Sequence, residues 1–249
     1  MDRMIYVAMS GARQAMQRQA INNHNLANVD TTGFKAAVDA LESLPIYGPG
    51  YPMRVQVRDV EVGADLAQGA LRTTGNPLHV AVRGEGFIAV QDVDGSEAWT
   101  RNGDLRVSAL GLLETSTGQP VLGDGGPITV SPYERIAIGE DGTLSIVPLG
   151  QAAGGLAVLD RIRLVRPEPG TIARNPRGLF TSVVAENESV PADADVKVQS
   201  GSLETSNVDR VGTLVTMIEL ARHFEMQMNM MKKVEETDAS ATSLLKQAG

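Results

Sequence analysis

Two runs of residues spaced alternately three and four apart, one at each end of the chain, limit what this sequence can fold into. Near the N-terminus Ile5, Ala8, Ala12, Ala15, Gln19, Asn22 and Leu26 share one helical face. Near the C-terminus Leu214, Met217, Ala221, Phe224, Met228 and Met231 repeat the pattern, and Leu245 falls on the same register. The second run predicts a helix from about Val208 to Gln247, ~60 Å long at 1.5 Å per residue, longer than a core of this size requires. The first seam is rich in alanine. At roughly 25 cal/mol per Å2 it gains little from burial, so that helix is marginal alone and needs partners on several sides. Matched seams this far apart in sequence pair most simply with each other or with copies of the chain. In "SNVDRV", Ser206 and Asn207 are expected caps for the second helix, with Asp209 in its first turn.

Between the two runs the periodicity changes. Asp94-Gly95, Asn102-Gly103, Asp124-Gly125 and Asp141-Gly142 punctuate short β-prone runs such as "LHVAV", "GFIAV", "ITV" and "LSIV". Such dipeptides favour type I′ hairpin turns, so residues 76–200 are expected to form antiparallel β structure. Arg83 to Phe87, "RGEGF", carries a G-x-G that lacks the third glycine of a dinucleotide site, and it too is expected to be a hairpin turn. The Pro- and Gly-rich "LPIYGPGYPMR", Leu44 to Arg54, reads as an extended connector. The expected class is therefore α+β: N- and C-terminal amphipathic helices forming a coiled-coil-like inner domain, with a central antiparallel β domain. Its parts are an N-terminal helix over 1–35, a connector over 36–75, a β domain over 76–200 and a C-terminal helix over 201–249.

Composition narrows the function. The net charge of -8 and the absence of a Lys/Arg cluster argue against a nucleic-acid partner. Without cysteine there are no disulfides, thiolate nucleophiles or zinc-thiolate sites. His24, His79 and His223 lie in three separate regions at no metal-ligand spacing. No nucleophile elbow or phosphate loop is present, so the sequence assigns no catalytic, metal or cofactor-binding residue and the chain is expected not to be an enzyme. A sugar-binding module would be expected to show several aromatics, whereas Trp99 is the single tryptophan and reads as a strand anchor. Met226, Met228, Met230 and Met231 suit core gaps or an interface between copies. The first residues carry Asp2, Arg3 and Arg13 and lack the apolar core of a secretory signal, and no apolar run of ~18 residues could insert in a membrane.

Four ordered motifs carry a resemblance. "NNHNLANVDTTGFK", Asn22 to Lys35, resembles the signature of the flagellar rod and hook family of axial proteins. "TGNPLHVAVRGEGFIAVQ" from Thr74, "WTRNGDL" from Trp99 and "SGSLETSNVDRVGTLVTMIELARHFEMQM" from Ser200 resemble its central and C-terminal blocks. The start, length, connector and "RHFEMQM" are most similar to the proximal-rod members. Two departures stand out: His24 intrudes into the asparagine run, and His79 stands where the family commonly has aspartate. The resemblance implies a structural subunit of the bacterial flagellar basal body, the periplasmic rod. It implies export through the flagellar type III apparatus without a cleaved signal peptide, and partners that are other rod subunits and copies of itself. Self-assembly through the terminal helices to help transmit torque is part of that implication. The readings kept beside it are a distal-rod or hook-basal axial subunit, and a secreted β-domain binding module on a helical stalk.

The asparagine run acquires an expected role. Asn22, Asn23, Asn25 and Asn28 can satisfy backbone groups at the helix end and hydrogen-bond neighbouring subunits. Thr31, Thr32 and Gly33 let the chain turn, Phe34 anchors it, and Leu26 continues the apolar seam. The expected assembly interface comprises Ile5, Ala8, Ala12, Asn22, Asn23, Asn25, Leu26, Asn28, Thr32, Gly33, Phe34, Leu214, Met217, Ala221, Phe224, Met228 and Met231.

Overall fold

A computed structural model of the chain describes residues 2–45, 55–150, 156–168, 170–183 and 190–247. It divides into two compact units. Unit 1 gathers residues 1–27, 37–62 and 209–249, and unit 2 gathers 28–36 and 63–208. The greater part of "LPIYGPGYPMR" lies outside the described residues.

Unit 1 contains two helices, α1 (Asp2–Ala27) and α2 (Arg210–Gln247), and a two-stranded sheet of Ala37–Pro45 with Val55–Ala64. The stretch read as a connector thus holds paired strands. The helices pack antiparallel. The Asn22 Nδ2 donates to the Thr213 carbonyl at 2.9 Å, and Gly11 lies against the Gln227 side chain. Along α1 the expected seam is the covered face, with Ala8, Ala12 and Ala15 buried and Ile5, Gln19, Asn22 and Leu26 half-buried. Small residues here let the helices approach closely. On α2 the covered positions are Thr213, Met217, Leu220, Phe224, Gln227, Met231 and Val234, again alternating four and three. Of the expected register, Met217, Ala221, Phe224 and Met231 are covered within the pair, whereas Leu214 and Met228 are 45% and 38% exposed. A mixed apolar-polar helix offers more than one such stripe, and only the packing partner selects among them.

The cap of α2 also differs from expectation. Asp209 caps it, its Oδ1 accepting from the Val211 N–H at 3.1 Å, while Asn207 bonds within unit 2. Neither helix is long and apolar enough to cross a membrane.

Unit 2 is mostly antiparallel β. Its largest sheet has five strands in the order Leu164–Val165, Phe87–Gln91, Glu97–Thr100, Phe180–Ser182, Ile172–Arg174. Strand Phe87–Gln91 is apolar on both faces because both are covered. Ile88 and Val90 enter one core with Val80, Val82, Leu105, Leu144 and Val198, while Phe87 and Ala89 enter a second with Trp99, Val165 and Phe180. Trp99 is the expected strand anchor, 2% exposed. Strand Tyr133–Ile138 pairs with Thr143–Pro148, and strand Lys197–Ser200 returns beside Val80–Arg83.

The hairpins form, but not by type I′ turns, since no non-glycine residue has positive φ among those described. Residues 92–96, 108–112, 115–119, 139–143 and 175–179 share another connection. The first carbonyl accepts from a glycine N–H three positions on, and the first N–H donates to the fifth carbonyl. This is the three-residue loop built on a type I turn and closed by left-handed glycine. Two of the four expected dipeptides, at Gly95 and Gly142, supply that glycine. Asp124-Gly125 joins the short paired strands Leu122–Gly123 and Gly126–Pro127. Asn102-Gly103 makes no hairpin: a Cβ on Gly103 would lie 1.6 Å from the Val80 carbonyl oxygen, so its role is close backbone contact. Nor is "RGEGF" a hairpin, because the strands it joins pair elsewhere, Val80–Arg83 with Lys197–Ser200 and Phe87–Gln91 with Glu97–Thr100.

Candidate functional site

The motifs that are scattered in sequence meet inside unit 2. After α1 the chain turns at Asn28, whose carbonyl accepts from the Thr31 N–H at 3.1 Å and whose Oδ1 accepts from the Thr31 hydroxyl. Gly33 follows with φ of 67° and donates its N–H to the Glu204 carbonyl at 2.8 Å. Lys35 then points into the interior, its side chain fully buried. Its Nζ donates to the Glu204 Oε1 at 2.6 Å and to the Ala67 carbonyl at 2.7 Å. The other Glu204 oxygen accepts from the Arg101 Nη1 at 3.1 Å, and Oε1 also takes the Gly69 N–H at 2.9 Å. Lys35 and Glu204 are fully buried and Arg101 is 2% exposed.

Two cations therefore share one carboxylate. Burial pulls the Lys35 ammonium below the ordinary lysine value, with Glu204 pulling the other way, and it acts in the same sense on Arg101, whose guanidinium remains charged. Removing one member of such a buried set costs about 3–5 kcal/mol, because an uncompensated charge is left behind. Arg101 is held further by the Gly84 carbonyl at 2.7 Å, in the "RGEGF" loop, and by the Phe87 ring, 5.2 Å from its guanidinium carbon.

A second tie surrounds the cluster. Asn207 accepts from the Ala36 N–H at 2.7 Å, donates through Nδ2 to the Asp65 carbonyl at 2.8 Å, and gives its own N–H to the Phe34 carbonyl at 3.3 Å. The Phe34 ring lies 4.7 Å from the Arg174 guanidinium carbon, which also sits 5.1 Å from the Phe180 ring. Arg174 donates to the Lys35 carbonyl as well. A cleft of roughly 540 Å3 adjoins Arg101, lined among others by Leu66, Phe87, Ile172, Asp65, Glu85 and Glu168.

The structure distributes the expected interface residues among three places. Ile5, Ala8, Ala12, Asn22 and Leu26, with Met217, Ala221, Phe224 and Met231, are wholly or partly covered within unit 1. Asn25 is also there, and its amide pairs with both backbone groups of Ala37, accepting from the N–H at 2.8 Å and donating to the carbonyl at 2.9 Å. Asn28, Thr32, Gly33 and Phe34 belong to the turn and buried cluster of unit 2. Asn23, Leu214 and Met228 are exposed. Sequence reasoning passed over Lys35, Arg101 and Glu204, and gave Asn207 a capping role, although each sits in a quoted motif. Two cations, Lys35 and Arg101, and one anion, Glu204, each inside a quoted motif, were the available signal. Among the described residues, no group of His, Asp and Glu side chains converges so as to hold a metal ion.

Comparison with known proteins identifies the class of the chain. Residues 5–35 match the family model described as flagella basal body rod protein, 81–146 the flagellar hook protein FlgE/F/G D1 domain, and 199–244 the flagellar basal body rod FlgEFG protein C-terminal. These matches place the chain in the axial rod and hook class. Over 98% of its length the chain is 41% identical to the flagellar basal-body rod protein FlgF of Salmonella typhimurium and 40% identical to that of Escherichia coli, covering 99% of each. It is 31% identical to FlgF of Caulobacter vibrioides, over 98% of both chains. The chain belongs to the FlgF family of flagellar basal-body rod proteins, which are structural subunits.

Proposed function

We propose that the chain is a non-catalytic subunit of the proximal rod, exported through the flagellar type III apparatus without a cleaved signal. It polymerises with other rod subunits and copies of itself through its terminal helices, and helps transmit torque across the periplasm. End-to-end similarity to FlgF proteins supports the subtype. A surface feature supports assembly through the helices, where the packed pair leaves a further set of apolar side chains open on each helix. It comprises Tyr6, Met9 and Met16 on α1, and Val211, Val215, Ile218 and Met226 on α2, all more than half exposed except Val215, which is half exposed. Exposed apolar side chains on both helices are surface available to other chains, and the coiled-coil-like inner domain would then be completed by neighbours.

The test replaces Ile218 with Lys in the chromosomal gene. Purified Ile218→Lys should keep the Trp99 fluorescence and stability of unit 2, while basal bodies from the mutant lack a complete rod and the cells do not swim. Normal rods and swimming would refute assembly through this face. Cryo-electron microscopy of wild-type basal bodies, with density fitted for Trp99 and the Met226 to Met231 side chains, separates a proximal from a distal-rod position.

A further inference from the structure

Within the buried cluster the order of residues along the chain matters. Lys35 and Arg101 precede Glu204 by 169 and 103 residues, and every other strand of unit 2 precedes Ser202–Glu204. A chain delivered N-terminus first thus presents both cations, and nearly the whole β body, before their shared anion exists. The remaining carboxylates that face the pair are Asp65 toward Lys35 and Glu85 toward Arg101, and both are exposed at the surface. Water screens them, and neither has a hydrogen bond to the buried cations. Glu204 alone reaches the interior, binding Lys35, Arg101 and the Gly69 N–H through its carboxylate and the Gly33 N–H through its carbonyl.

We infer that Glu204 licenses closure of unit 2: until it is seated, Lys35 and Arg101 confront each other as two desolvated cations, and the β body of an incomplete chain stays open. Like charges brought together in a dry site disfavour the closed state, whereas the arriving carboxylate neutralises one of them and supplies acceptors to both. The device makes folding of this unit conditional on delivery of the chain through residue 204. It follows from chain order and burial, and is independent of the rod assignment.

The test uses the purified full-length protein, with denaturation followed by Trp99, the single tryptophan, which reports on unit 2. Glu204→Gln keeps the shape and removes the charge. At pH 7 it should lower the folded-to-unfolded ratio by roughly a hundredfold to a few thousandfold. The double variant Lys35→Met/Glu204→Gln should recover at least tenfold of that loss, because one of the facing cations is gone. Glu204→Gln should also regain stability as the pH rises toward the ordinary lysine value, because the folded variant releases the Lys35 proton before the unfolded chain does, and the double variant should not. Glu204→Gln within threefold of wild type, or a double variant no more stable than Glu204→Gln, would overturn the inference. If Glu204→Gln fails to fold at pH 7, the double variant and the alkaline recovery still decide.

Discussion

Replacing Gly33 with alanine separates two costs that usually travel together. At φ of 67° an L-residue strains the backbone by about 1 kcal/mol. Here the new Cβ would also lie 2.3 Å from the carbonyl carbon and oxygen of Arg101 and 2.5 Å from the Asn102 nitrogen, all backbone atoms that cannot rotate away. Relieving that overlap costs about 1–3 kcal/mol by analogy with overpacked cores. It also pulls the Gly33 N–H from the Glu204 carbonyl, a bond worth about 1 kcal/mol. The expected destabilisation is about 3–5 kcal/mol. Gly95→Ala is the control: its φ is 87°, it also closes a turn, and a Cβ there meets nothing within 4 Å, so only the strain remains. Chemical denaturation followed by Trp99 fluorescence, which both sites influence because both lie in unit 2, gives the two values directly. If Gly33→Ala lost no more than Gly95→Ala, contact between the turn and the Arg101 backbone would not be what fixes glycine at position 33.

Other outcomes follow from the same structure. Gly11→Ala should raise stability of the helix pair by ~0.5 kcal/mol, since helix propensity gains about 1 kcal/mol and the new Cβ meets only the movable end of Gln227 at 3.0 Å; lower helicity by circular dichroism would contradict this. Asn25→Ala should speed amide exchange at Ala37 by about tenfold or more through loss of both hydrogen bonds, while exposed Asn23→Ala leaves it unchanged. The lowered Lys35 pKa means the unfolded chain holds this proton to the ordinary value of 10.5 and the folded chain releases it sooner. The contribution of this group to stability therefore rises with pH across that window, and Lys35→Met should flatten the slope measured by denaturation as the pH approaches 10.5 from below.

The α+β class, the amphipathic helix at each end and the antiparallel body between them were legible in the sequence, because each rests on local periodicity and turn chemistry. The α1 seam was legible for the same reason: its small residues recur at unbroken three-four spacing along one face. The α2 seam was not, since Leu214 and Met228 offer a stripe as apolar as Leu220 and Val234, and only contact with α1 decides between them. The hairpins were legible as turns, but their geometry was not, because Asp-Gly serves a type I turn with a following left-handed glycine as well as a type I′ turn. Asn207 reads as a helix cap in sequence, yet bonds Ala36 and Asp65 across the fold.

What the sequence by itself determined, then, is the set of parts and, through its motifs, the family. Tertiary structure alone decided that Lys35, Arg101 and Glu204 form one buried cluster, and that Gly33 must be glycine because the Arg101 backbone passes beside it. The physical reason is one of range. Helix periodicity and turn preference act over a few residues, whereas the energy of a buried charge depends on partners more than a hundred residues away, which only the closed fold brings within 3 Å or so.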